Sequence, residues 1–205
     1  SVEMEKLATD AALGEAATKL SQRGQEVEQL QEKLGVEESK LTGRKAEIET
    51  ELSGIQPILD DAKRAVGQIK SDNLTMIRNL RNPPEPIRHV LEGVLMLMGI
   101  FDTSWTSMRK FLGERGVKDN ILNFDTRRIT PDIRRSVDQL LKERAHSYKP
   151  EVISKSSQDA APLAAWVKAQ VSSSAVLIKI QPLESDLNRA ESALSGARTR
   201  VKQCQ

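Results

Sequence analysis

From Leu13 the chain carries an apolar residue at every seventh position: Leu13, Leu20, Val27, Leu34, Leu41, Ile48, Ile55, Ala62, Ile69 and Met76. Ten consecutive apolar d positions predict a long helix whose seam lies along a second helix in a coiled coil. The a positions read Asp10, Ala17, Gly24, Gln31, Glu38 and Lys45, then Leu52, Leu59, Val66, Asn73 and Leu80. The seam is thus half-polar at first and nearly complete later. From Leu13 to Leu80 such a helix would form a rod of about 100 Å. Pro57 lies inside it and is expected to kink it or mark a weak point. Arg81-Asn82-Pro83-Pro84 ends it, because two prolines and the restriction on Asn82 oppose further helix.

A second heptad pattern starts near Trp166 and is clean from Ile180 through Leu183, Leu187, Ala190, Leu194, Ala197 and Val201. Two heptad helices flanking a compact insert are expected to pair as an antiparallel hairpin. The divisions that follow are an outgoing stalk helix over 1–80, a helical head over 81–162 and a returning stalk helix over 163–205. Pro182 stands in the second helix as Pro57 does in the first, and Ile55-Gln56-Pro57-Ile58 resembles Ile180-Gln181-Pro182-Leu183. The outgoing arm is the longer, so its N-terminal stretch has no partner in this sequence. It is expected to pair with a further part of a larger protein or with a second copy.

Composition separates the insert from its arms. All six aromatic residues (Phe101, Trp105, Phe111, Phe124, Tyr148 and Trp166) lie between 101 and 166, and the first hundred residues carry no ring. The predicted fold class is all-α: a coiled-coil hairpin capped by a small bundle of short helices. Glu85 to Met98 is one helix with Gly99 as its stop. Asp102 or Thr103 caps a second, through Trp105, Met108, Phe111 and Leu112. Val117 to Phe124 forms a short turn. Thr130-Pro131 opens a helix running to Ala145, and Pro150 opens another to Ser157. No alternating run predicts a strand.

Chemistry is sparse. Gly113-Glu114-Arg115-Gly116-Val117-Lys118 lacks the spacing and the preceding strand of a phosphate-binding loop. His89 and His146 are the only histidines, and neither has the neighbours of a metal ligand. His89 is expected as a surface contact or partial core residue. No nucleophile–base pair occurs, so the expectation is no catalytic residue, no metal and no cofactor. The single thiol, Cys204, fits a reducing compartment. No secretory h-region opens the chain, and the apolar run Val90 to Phe101 is too short to cross a bilayer, so no membrane partner is expected.

The net charge of +2 does not announce a nucleic-acid binder. Its distribution is more informative. Residues 81–162 hold fourteen Lys/Arg against eleven Asp/Glu, whereas the rest hold seventeen against eighteen. A basic head on a helical arm suits an acidic partner.

An ordered set of motifs carries a resemblance. A heptad helix ending in Asn82-Pro83-Pro84 is followed by Ile87-Arg88-His89-Val90-Leu91-Glu92 and Leu95-Met96-Leu97-Met98-Gly99. Trp105, Ile121-Leu122-Asn123-Phe124, Ile133-Arg134, Tyr148, Glu151-Val152-Ile153, Pro162 before Trp166, Ala169-Gln170 and Pro182-Leu183 follow in order. From about residue 50 the chain resembles the stalk and microtubule-binding domain of dynein heavy chains. Pro84-Glu85-Pro86 and Gly99-Ile100-Phe101 look closest to the second cytoplasmic, intraflagellar-transport class.

The resemblance implies a head that binds the groove between tubulin subunits, with the ATPase ring elsewhere in the heavy chain. It implies a location on the cytoplasmic cytoskeleton, in the cilium. The first, third and sixth helices of such heads face the microtubule. Arg88 matches a basic contact of the first helix, and Glu151 and Lys155 match an acidic–basic pair near the sixth. Arginine is commoner at the last of these; lysine keeps the charge and loses the bidentate fork. Arg115 and Lys118 fall near the third helix, where the local match is poorer. Pro83, Pro84 and Pro162 mark the stalk–head junction. The mechanism implied is a half-heptad shift of register between the stalk helices, which Ala62 and Asn73 would ease by softening the seam.

Two other classes share a long helical arm. The tRNA-binding arm of a synthetase would end in a short turn and precede a catalytic domain. The hinge of a chromosome-structure ATPase would contain sheet and glycine-rich dimer surfaces. Neither suits an all-α insert of this length.

Overall fold

The computed structural model describes residues 1–204. Among them are eight α-helices and one 3-10 turn and no strand, in agreement with the all-α reading. In chain order the helices are α1 (Val2–Gly67), α2 (Ser71–Arg78), α3 (Glu85–Leu97), α4 (Trp105–Leu112), α5 (Val117–Leu122), α6 (Pro131–Glu143), α7 (Pro150–Ser156) and α8 (Ala161–Cys204). The 3-10 turn, Thr126–Arg128, lies between α5 and α6. Contacts divide the chain into two compact units, Ser1–Ile48 with Leu183–Gln205, and Glu49–Pro182.

In the first unit the ends of α1 and α8 pair through a narrow apolar seam. Leu41, Ile48 and Leu187 are buried, and the Arg198 guanidinium bridges to Glu38 at 2.5 Å. Nearer the N-terminus the seam opens. Leu13 and Leu20 are 64% and 69% exposed, in keeping with an arm that outruns its partner. Leu183, expected in the second seam, is instead exposed.

The second unit holds the remaining stalk segments and the head. Ile55, Ala62 and Val66 of α1 and Leu177 and Ile180 of α8 are buried. Pro57 and Pro182 do not interrupt the helices: α1 and α8 run through them without a break. Both prolines are exposed.

The outgoing helix ends earlier than the heptads predict. α1 stops at Gly67, residues 68–70 leave the helix, and α2 restarts at Ser71. The break turns the later part of the stripe. Ile69 stays buried, but Met76 is 68% exposed, while Leu74 and Ile77 enter the core instead. Asn73 is consequently no seam residue; its side-chain amide donates to Asp159 at 3.1 Å. The prolines then start helices. Pro84 is the N-cap of α3, and Pro162 is the second residue of α8.

The head core gathers one face from each short helix. α3 contributes Ile87, Val90, Leu91, Val94, Leu95 and Leu97. It stops where expected: Gly99 adopts φ 78°, Ile100 N–H returns to Leu95 O and Gly99 N–H to Met96 O. That double closure needs a left-handed residue, which glycine adopts without a Cβ penalty. The cap of α4 is Ser104 and not Asp102 or Thr103: its hydroxyl accepts the Ser107 N–H, while Asp102 accepts the Ser104 N–H one step earlier. Thr130 caps α6 as expected. Trp166 is buried and meets Phe124 edge-on at 5.6 Å. Phe101 departs from the aromatic core and is 92% exposed in the α3–α4 connection. The first part of α8 is apolar enough to resemble a membrane-crossing helix by composition, but 61% of that window is buried, as in a helix covered by its own protein.

Candidate functional site

A hydrogen-bonded centre, buried at Tyr148, ties α3 and α8 to the segment between α6 and α7. Tyr148, between α6 and α7, is 1% exposed, and its hydroxyl donates to the His89 carbonyl of α3 at 2.9 Å. Burial, and after it the Glu92 charge, pushes the Tyr148 phenol well above its ordinary value, so it stays a donor. Lys168 of α8 donates to the Tyr148 carbonyl at 2.6 Å. The His89 ring meets the Ser147 hydroxyl at 2.7 Å through Nδ1. Burial and the nearby Arg144 charge lower the His89 pKa, which favours a neutral imidazole. His89 is therefore a partial core residue, one of the two roles expected for it. Gly93 permits the arrangement: a Cβ there would lie 2.2 Å from the Tyr148 hydroxyl oxygen.

This centre fixes α3 beside α6 and α7. Arg88 projects from α3 into solvent. Glu151 and Lys155 are both exposed on α7, one helical turn apart and so on one face. No hydrogen bond or ion pair engages these three side chains among the described residues, which leaves their charges available. Helix packing thus brings Arg88 onto the element next to Glu151 and Lys155. Arg115 lies apart, exposed in the turn before α5.

Lys118 differs from the others. It is half-buried, and its ammonium donates to the Gly67 and Ile69 carbonyls at 3.3 and 3.0 Å. Its ammonium is engaged at the end of α1. Sequence reasoning missed this role, and no local signal could have found it, because the two carbonyls exist as acceptors only where α1 breaks. It also missed the pair formed by Thr126, whose hydroxyl donates to Gln170 at 2.8 Å in a buried setting. No group of three or more His, Cys, Asp or Glu side chains suited to a metal occurs among the described residues.

Comparison with known proteins places these features in a family context. Residues 5–205 match the family described as the microtubule-binding stalk of dynein motor. Cytoplasmic dynein 2 heavy chain 1 of Chlamydomonas reinhardtii is 45% identical over 185 residues, which is 90% of this chain and 4% of that protein. The Rattus norvegicus protein of the same name is 47% identical over 185 residues, covering 89% of this chain and 4% of its own. The chain thus spans about 4% of the length of the curated relatives it matches. A solved structure titled the microtubule-binding domain of dynein-c superposes with a TM-score of 0.55 at 25% identity, over 66% of this chain and 94% of that one.

Proposed function

Since the chain belongs to the family of dynein motor microtubule-binding stalks, we propose that it grips the microtubule for a dynein 2 heavy chain. The observation that carries this reading is the match of residues 5–205 to that family, which spans stalk and head together. The parent heavy chain would be an ATPase motor, with its ring outside this segment, working in the cytoplasm on the cytoskeleton of the cilium. The name of the relatives, cytoplasmic dynein 2, supports that assignment. Residues 81–162, with α2 added, act as the head, and the flanking parts of α1 and α8 act as the stalk. The reaction asked of this segment is binding alone, and it needs no cofactor.

Arg88, Glu151, Lys155 and Arg115 are assigned to the tubulin contact. Support comes from their exposure and free side chains, and from the packing of α3 beside α7. A surface with both signs of charge on adjoining helices fixes orientation as well as attraction, because a wrong register sets like charges together. Co-sedimentation of the chain with microtubules at two salt concentrations tests the proposal. Binding should weaken as salt rises. Arg88→Glu should weaken it further and flatten its salt dependence. Binding that ignores both salt and this reversal would remove the assignment.

A further inference from the structure

We infer that Lys118 is a positioning residue that latches the head to the end of the outgoing stalk helix, so that the head senses the axial position of α1. The inference rests on the proposed function and adds to it the residue through which stalk and head communicate. At the C-terminus of a helix the last carbonyls lack intrahelical partners and carry the negative end of the dipole. Here the chain leaves the helix immediately after Gly67, and the Lys118 ammonium takes Gly67 O and Ile69 O together. One turn further along α5, Leu122 lies against Gly67, where a Cβ would come 3.9 Å from its Cδ2. Lys118 and Leu122 thus place α5 directly on the end of α1 with one polar and one apolar contact.

Grooves flank the rest of this α1 segment. A groove of about 660 Å³ lies beside it, lined by Ile58, Ala62 and Ala65 of α1 and by Ala161, Ala164 and Ala169 of α8. A second, of about 400 Å³, is lined by Leu52, Gln56 and Leu59 with Trp166, Gln170 and Leu177. The alanines of the first groove interlock less than large side chains would, and so resist sliding less. Directional bonds to Gly67 O and Ile69 O oppose it, since a displacement of one residue along the axis, about 1.5 Å, lengthens both unless the Lys118 side chain or α5 follows. Axial movement of α1 therefore carries α5 with it, or reorients or releases Lys118.

The test uses this chain with Cys204→Ser and one engineered disulfide that fixes the stalk. Glu38→Cys with Arg198→Cys holds the register seen here, and Thr42→Cys with Arg198→Cys holds one displaced by a turn. Microtubule affinity is measured by co-sedimentation in both locked forms for Lys118, Lys118→Met and Lys118→Arg. The expected result is a difference between the two locked forms that shrinks by about three- to tenfold in Lys118→Met, with unchanged salt dependence. Lys118→Arg should restore it, because a guanidinium can also reach two carbonyls. An equal loss in both forms with flatter salt dependence would make Lys118 a direct tubulin contact and overturn the latch. So would equal affinities of the two locked forms with Lys118 intact. If no locked form binds microtubules, the proposed function fails, and the latch is judged separately by amide hydrogen exchange of the free chain. Lys118→Met should then speed exchange over 64–70 and 117–122 while sparing α3; unchanged exchange there overturns it.

Discussion

Gly93→Ala gives the sharpest test of how the head is assembled. On an exposed helix this change would stabilise by roughly 1 kcal/mol, since alanine is the better helix former. In α3 the new methyl would instead sit 2.2 Å from the Tyr148 hydroxyl oxygen and 3.1 Å from Val167 Cγ1. The phenol cannot easily retreat. Tyr148 is 1% exposed, its hydroxyl is bonded to His89 O, and Lys168 holds its carbonyl. Overpacking of this kind costs about 1–3 kcal/mol, and a buried hydroxyl pushed off its acceptor costs a further 1–3 kcal/mol. Set against the helix gain, the net loss should be about 1–5 kcal/mol. Urea unfolding followed by tryptophan fluorescence measures it well, because Trp105 and Trp166 both belong to the unit that contains Gly93. Tyr148→Phe supplies the control. Alone it should cost about 1 kcal/mol for the lost hydrogen bond. In the Gly93→Ala background it should restore stability, because the ring carbon behind the hydroxyl lies 3.4 Å from the added methyl, an ordinary contact. A Gly93→Ala protein as stable as the parent, or two additive losses in the double variant, would refute the steric account.

Three further outcomes follow from the same geometry. Pro57→Ala should raise thermal stability by about 1–3 kcal/mol, because an exposed proline inside a continuous helix removes one backbone bond and contributes no packing; an unchanged melting curve by circular dichroism would show that the ring costs nothing there. Thr126→Val and Gln170→Leu should each cost about 1–3 kcal/mol by orphaning a buried partner, and the double variant should recover much of it; strictly additive losses would count against a direct bond. His89 sets a pH dependence: its folded pKa lies below the ordinary 6.5, so its contribution to stability is complete above pH 6.5 and is lost as pH falls through that value toward the depressed one. His89→Gln should flatten this limb of the unfolding free energy against pH, and a parent profile that is already flat there would contradict the neutral, half-buried imidazole.

Much of the candidate surface was legible from residue order. Glu151 and Lys155 stand one turn apart after a proline that starts a helix, so their shared exposed face follows from helical geometry alone. Arg88 opens α3 on the polar side of a strong apolar stripe. The neighbourhood of α3 and α7 was not legible, because it is set by Tyr148 filling the space that Gly93 leaves. Lys118 shows the reverse case. In the sequence it is one more cation on a short helix, and only its bonds to two carbonyls distinguish it from Arg115.

The sequence by itself determined the all-α class, the paired heptad helices, the glycine stop after α3 and the Thr130-Pro131 start of α6. Each of these depends on interactions within a few residues or on a period that repeats along one helix. Tertiary structure decided where the outgoing helix ends, and with it the fate of Ile69, Asn73 and Met76. The heptad continues through the break, so local preference favours helix on both sides of it. What overrides the pattern is burial: turning the chain at 68–70 lets Leu74 and Ile77 join the core, at the cost of exposing Met76. It also creates the two bare carbonyls that Lys118 occupies. Tertiary structure likewise decided that Phe101, in the connection that follows the Gly99 turn, stays in solvent while the other five rings pack.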